Sequence, residues 1–144
     1  MIPGANCWET FESTHGIQSV GKQAIPHIAA RNFFGEKEFR VCLSMLQEVG
    51  IKRALLIGGG GTESKGSYTC SMDLLTTGLF AEYGINALDF AGHPDGNPDD
   101  PDSEYHLLEK LSWTEARGIS TRILKQWSLN TERTNKLKEN HIHI

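Results

Sequence analysis

The chain has 144 residues, which is enough for one domain with a single hydrophobic core. Its net charge of -4, with 22% charged residues, excludes the basic surface typical of nucleic-acid-binding domains. No apolar run reaches the roughly 20 residues that cross a bilayer. We therefore predict neither a nucleic-acid partner nor a membrane span.

The N-terminus and the cysteines indicate a compartment. Met-Ile-Pro-Gly-Ala-Asn has no basic region followed by an apolar one, so it predicts no signal peptide. Cys7, Cys42 and Cys70 are odd in number, far apart and without the Cys-x-x-Cys spacing of a zinc site. Together these features predict a cytoplasmic protein whose cysteines are small buried residues.

Taken in chain order, apolar strand-like runs alternate with helical patterns after a poorly patterned segment, 1–23. Such alternation is typical of a parallel sheet with helices outside it. The predicted strands are 24–30, 52–58, 86–91 and 120–126, which we expect to be parallel and adjacent in that order. The predicted helices are 36–49, a helix capped by Ser71 and closed by Gly84, and a helix capped by Ser103 that runs to Arg117. A polar helix over about 131–140 and a fifth strand at 141–144 complete the pattern.

The length of each strand–helix unit bears on the architecture. Each unit takes roughly 30 residues, and this length matches a (β/α)₈ TIM barrel, whose eight units take about 250 residues. This chain would then hold about four to five of eight strands. A doubly wound sheet would be complete at this length, so the pattern alone leaves both open. We predict one α/β domain over 1–144, built of parallel β/α units, as a partial TIM barrel.

Polar residues accompany each predicted strand, mostly just past its carboxyl end. Because the carboxyl ends of parallel strands meet at one edge, such residues are candidates for a shared site. We expect four of them to cluster there, namely His27, His93, Asn97 and Gln126. The wider set also includes Arg31, Glu63, Ser64, Lys65, Asp95, Trp127 and Ser128.

Some motifs have plainer interpretations. The glycine run Gly58–Gly61 fits neither nucleotide-binding template, so a tight turn is as good an interpretation as a phosphate cradle. His27 beside a proline also suits a hydrogen-bonded core histidine. His141 and His143 share one strand face, but no third ligand is in view, and we predict no metal site.

Five segments carry a resemblance to a known family. They occur in the order seen in methylenetetrahydrofolate reductase-like proteins, which the chain resembles over about residues 24–144. The most specific is the Pro-Asp-Gly-Asn-Pro stretch, Pro94–Pro98. The segments are Ile25–Arg31, Ala54–Gly59, Gly66–Leu75, Ala91–Pro98 and Ile123–Trp127.

This resemblance implies a (β/α)₈ barrel that binds FAD and passes a hydride from NAD(P)H to methylenetetrahydrofolate. His27 resembles the family's flavin-contacting histidine. His93, Asp95 and Asn97 stand where the family has a tyrosine, an acidic residue and a histidine beside the flavin. Gln126 resembles the glutamine that hydrogen-bonds the pterin, and a carboxamide suits that role because it both donates and accepts.

The chain also departs from the family. Gly59-Gly60 replaces a Gly-Asp pair, so a carboxylate that tunes flavin and folate is missing, and Glu63 is only a weak substitute. The family's first strand, with its acidic proton donor, has no counterpart, which implies a fragment or a shortened descendant. Two other functions therefore stay open: a flavin-free, tetrahydrofolate-dependent methyltransferase on the same barrel, and a non-catalytic remnant that only binds or assembles. The open edges of a partial barrel favour a homo-oligomer.

Overall fold

The computed structural model of the chain describes residues 6–60, 63–93, 95–98 and 100–125. Four strands form a parallel sheet in the order β1-β2-β3-β4. They are β1 (His27–Ala29), β2 (Arg53–Ile57), β3 (Ala87–Gly92) and β4 (Ser120–Lys125). The predicted α/β class, parallel pairing and strand order are confirmed, although β1 is much shorter than predicted. The predicted helix at 131–140 and strand at 141–144 lie outside the described residues.

Five α-helices lie among these strands in the described residues. The chain divides into two compact units, whose boundary in the sequence falls between Ala87 and Leu88. The predicted helix 36–49 is confirmed, and the helix predicted to run to Arg117 ends two residues earlier, at Glu115. Ser103 is its first residue rather than its cap, which is Asp102. The helices are α1 (Cys7–Ser19), α2 (Glu36–Glu48), α3 (Ser71–Thr76), α4 (Leu79–Glu82) and α5 (Ser103–Glu115).

The N-terminal segment contains a helix that its weak patterning did not predict. Helix α1 begins with a capping box, in which the Glu9 amide donates to Asn6 Oδ1 and the Asn6 amide donates to Glu9 Oε2, each at 3.0 Å. This arrangement satisfies amide donors that a helix start leaves unpaired. Gly16 lies inside the helix and does not end it.

The core of the first unit forms around α2. Phe39 is fully buried, and its ring centroid lies 5.1 Å from that of Phe33 and 5.3 Å from that of Phe80. Leu43 and Leu46 extend the same apolar stripe at helical spacing. Burial of this stripe fixes α2, since a 13-residue helix is only marginally stable by itself.

The connection between α2 and β2 is a C-cap that ends the helix. Gly50 has φ +76°, and its amide donates to the Gln47 carbonyl while the Ile51 amide donates to that of Leu46. These two bonds form a Schellman motif, with the buried Ile51 as its apolar contact. The same Gly-Ile pair recurs at 84–85 and 118–119, directly before β3 and β4.

The single helix predicted from Ser71 to Gly84 is wrong, because the chain forms two short helices there. Gly78 adopts φ +72° between α3 and α4, and the Thr77 hydroxyl donates to the Leu74 carbonyl at 2.6 Å. Ser71 is not the cap either. The N-cap of α3 is Cys70, and Asp73 accepts the amides of Thr69 and Cys70.

The second unit packs α5 against the end of its strands. Ile123 of β4 is buried, and a Cβ on Gly92 would lie 2.6 Å from its Cγ2 atom. Leu107 of α5 lies close to the same point. A glycine at the end of β3 therefore lets β4 and α5 approach closely.

Candidate functional site

In the first unit, the carboxyl end of β1 is tied to the loop that follows β2. The Arg31 amide donates to the Gly58 carbonyl at 3.0 Å, and the Lys65 amide donates to the Arg31 carbonyl at 2.9 Å. The Arg31 guanidinium donates to the carbonyls of Thr69, at 2.8 Å, and Gly59, at 3.1 Å. Arg31 therefore holds the glycine loop in place.

The glycines of that loop differ in how much space surrounds them. Gly59 has φ +105°, and a Cβ there would lie 3.4 Å from the Cβ atoms of Ala29 and Arg31. Gly60 is exposed, with nothing within 4 Å of its Cβ position. The loop carbonyls at 58 and 59 accept bonds from Arg31.

His27 is the first residue of β1, at the opposite end of the strand from Arg31. It lines a small cavity of about 10 Å³ with Cys7, Thr10 and Cys42, where α1 and α2 meet β1. Burial lowers the pKa of its imidazole below the ordinary value, so the ring is neutral at pH 7. His27 therefore lies beside the helices, whereas His93, Asp95 and Asn97 follow the carboxyl end of β3.

In the second unit, the predicted loop begins where β3 ends. The Gly96 amide donates to the His93 carbonyl at 2.9 Å, which closes a turn over Asp95. Asn97 pairs with Asp100 in an isolated antiparallel bridge, and Asp100 Oδ2 lies 3.0 Å from His106 Nδ1. His93 and Asn97 are half-buried and Asp95 is exposed, so one short loop presents imidazole, carboxylate and carboxamide.

The structure brings together part of the predicted site. His93, Asp95 and Asn97 share the loop after β3. Glu63 is exposed in the loop after β2, and Gln126 lies outside the described residues. The clustering of all four predicted residues therefore stays a prediction.

An ion pair that sequence analysis did not single out lies on one face of β3 and β4. Asp89 is fully buried, and its carboxylate receives bonds from Arg122 Nε at 3.2 Å and Nη2 at 2.7 Å. The hydrogen bonds to Asp89 raise the pKa of Arg122, and the Arg122 side chain keeps 42% of its surface exposed. A charged residue in the middle of an apolar strand was the available signal, because buried charges need a partner.

Comparison with known proteins returned no match to any family model. Within the described ranges, no three His, Cys, Asp or Glu side chains are grouped so as to hold a metal ion. None of the helices in that part of the chain is long and apolar enough to cross a membrane.

Proposed function

We propose that the chain is a methylenetetrahydrofolate reductase-like oxidoreductase of one-carbon metabolism, which binds FAD and a reduced folate and uses NAD(P)H as co-substrate. The observation that carries this proposal is the position of the Ala91–Pro98 segment, which contains the Pro-Asp-Gly-Asn-Pro motif. The segment begins with the last two residues of β3, in a parallel sheet whose strands follow one another in chain order.

The strand order supports a barrel over a doubly wound sheet. Consecutive strands of a (β/α)₈ barrel are neighbours throughout, and its sites form at the carboxyl ends of the strands. A doubly wound sheet reverses its order at a switch point, and β1 to β4 contain no such reversal. The resemblance to the reductase family supports the same choice.

The donor set of the loop after β3 fits part of a flavin. The ring edge and ribityl chain carry carbonyl, N–H and hydroxyl groups, which imidazole, carboxylate and carboxamide can bind. The loop is acidic at Asp95 and Asp100, so it does not supply the cations that suit a diphosphate. We assign His93, Asp95 and Asn97 to the ring and ribityl part, and Gln126 to the pterin by resemblance.

Bound flavin would supply hydride transfer between the nicotinamide and the folate. The chain's own residues would bind the flavin and the folate and orient them. The turn from His93 to Gly96 fixes the conformation of the loop. The loop directly follows β3, so the strand positions the residues of the site. Holding the reactants in the right geometry supplies much of the increase in rate of a bound reaction over the same reaction in solution.

Flavin-free methyl transfer to or from tetrahydrofolate is the second candidate function. It is favoured by Gly60, which stands in open space where the family has a carboxylate. A protein of this kind would bind a reduced folate with the same loop and would not need FAD.

The experiment is a titration of the purified chain with FAD, followed by flavin absorbance and fluorescence. We expect saturable binding that His93→Ala and Asn97→Ala each weaken by about tenfold, the loss of roughly one hydrogen bond. His15→Ala is the matched control, because His15 is exposed on α1, and it should bind FAD as the unchanged chain does. Folate binding without FAD binding would favour the methyltransferase, and binding of neither would contradict both proposals.

A further inference from the structure

Three sulfur atoms lie together in the first unit, where α1 packs against α2. Cys7 is the first residue of α1, and Cys42 and Met45 are one turn apart on α2. Cys7 Sγ lies 3.9 Å from Met45 Sδ. The Cys7 and Cys42 thiols interact directly and line the same cavity of about 10 Å³.

The two thiols have different surroundings. Cys42 keeps only 2% of its surface exposed, whereas Cys7 is half-buried. A hydrogen bond from Cys42 lowers the pKa of Cys7, against the opposing effects of burial and of the Glu38 charge. The same bond and burial raise the pKa of Cys42. Cys7 also lies at a helix N-terminus, where the helix dipole favours an anion, so Cys7 is the thiol that ionises first.

We propose that Cys7 and Cys42 are a redox-active thiol pair, which a hydroperoxide converts into an intramolecular disulfide between α1 and α2. Cys7 is the attacking residue, since it is the more accessible and the more easily ionised. Cys42 is the resolving residue, since it lies beside Cys7 and is shielded from reagents in solution. Neither residue belongs to the proposed folate site, so this inference stands apart from that proposal.

The reaction takes place in two balanced steps. The Cys7 thiolate attacks one peroxide oxygen, so that an S–O bond forms, the O–O bond breaks and hydroxide leaves, which takes up the proton that Cys7 released. The Cys42 sulfur then attacks the Cys7 sulfur, the S–S bond forms, and the sulfenic oxygen leaves as water with the Cys42 proton. Two thiols lose two electrons and two hydrogens, and one hydrogen peroxide becomes two waters.

Cys70 provides a matched control within the same chain. It is exposed at the N-cap of α3. An exposed thiol that lacks a resolving partner oxidises without forming an internal disulfide. Cys70→Ser should therefore leave the reaction of the pair unchanged.

The test is peptide mapping of the full chain after treatment with hydrogen peroxide, with free thiols blocked before digestion. We expect a Cys7–Cys42 cross-linked peptide, a monomeric chain on a non-reducing gel, and complete reversal by dithiothreitol. The same peptide should form in Cys70→Ser, whereas Cys7→Ser should form no internal disulfide.

Two results would overturn the proposal. One is a Cys7 that goes on to the sulfinic acid while Cys42 stays a free thiol. The other is a disulfide that joins Cys70 to either residue or links two chains. Because the mapping uses the unchanged chain, the outcome does not depend on whether a cysteine variant folds.

Discussion

Asp89 shows at the scale of one residue what the sequence could and could not predict. Its place within an apolar run marks it as unusual, yet its partner Arg122 lies 33 positions further along the chain. Pairing across two strands depends on sheet register, which a sequence pattern does not contain. The loop residues His93 and Asn97 were predictable because they directly follow an apolar strand.

Asp89→Asn should destabilise the protein by about 2 kcal/mol, since it leaves a buried amide without the charge that held Arg122. Urea unfolding measures the loss as a lower midpoint. Glu109→Gln, on an exposed position of α5, is the matched control and should change the free energy of unfolding by less than about 0.5 kcal/mol. Equal midpoints for the two variants would contradict the structural role of the pair.

Gly60→Asp should restore the carboxylate of the reductase family at no steric cost, because nothing lies within 4 Å of its Cβ position. We expect slow nicotinamide oxidation in the unchanged chain with FAD and a folate, below the ordinary enzyme range of roughly 1 s⁻¹, and faster oxidation in this variant. Gly59→Asp is the matched comparison. It should lower stability by about 1 kcal/mol or more, since residue 59 has φ +105°. A Gly60→Asp variant no faster than the unchanged chain would weaken the reductase proposal in favour of methyl transfer.

The carboxylate of Asp73 makes the stability of the protein depend on pH. Burial opposes its ionisation, but bonds from the Thr69 and Cys70 amides and the Thr69 hydroxyl lower the pKa of Asp73 below its ordinary value of 3.8. A lowered folded-state pKa adds stability above the unfolded-state pKa, and this stability is lost as pH falls through the folded value. Asp73→Asn should therefore cost about 1 kcal/mol at pH 7 and progressively less below about pH 4. Unfolding curves at several pH values check this, and a pH-independent difference would contradict it.

At the scale of the element, α2 was predictable and α1 was not. The stripe Phe39, Cys42, Leu43, Leu46 repeats at helical spacing and ends in a glycine, so pattern and stop signal agree. Helix α1 has no such stripe: Thr14 is its only buried residue, and Trp8 keeps 57% of its surface exposed. Its signal was the Asn6-x-x-Glu9 capping box, a local feature that apolar periodicity does not register.

The break between α3 and α4 could not be predicted for a different reason. Leu74, Leu75, Leu79 and Phe80 are all buried and follow one apolar period across Gly78. A glycine inside a helical pattern can be tolerated or can end the helix, and here its left-handed conformation decides the outcome.

Phe39→Ala should destabilise the protein by about 4 kcal/mol, because it removes a fully buried ring from the contacts among α2, α4 and Phe33. Val41→Ala is the matched control on the same helix. Val41 keeps 53% of its surface exposed, so its replacement should cost less than about 0.5 kcal/mol. Thermal unfolding followed by circular dichroism compares them, and similar midpoints would contradict the core described for α2.

At the scale of the whole molecule, the α/β class and the parallel sheet followed from alternation, and the strand order followed from the prediction of a partial barrel. Four apolar runs separated by helices permit few topologies, since parallel neighbours joined by helical crossovers are the simplest. The site was less predictable, because its residues belong to several loops whose mutual placement depends on sheet geometry. His27 illustrates this: its sequence position suggested the site, yet its side chain lines a cavity beside α1.

The most direct test of the central claim is amide hydrogen exchange of the full chain with and without saturating 5-methyltetrahydrofolate. If the loop at the end of β3 binds a reduced folate, exchange should slow in peptides that cover residues 92–98. Peptides that cover α1 and the cavity lined by His27 should exchange at an unchanged rate. Exchange in 92–98 that does not change, or protection confined to the α1 peptides, would contradict the account.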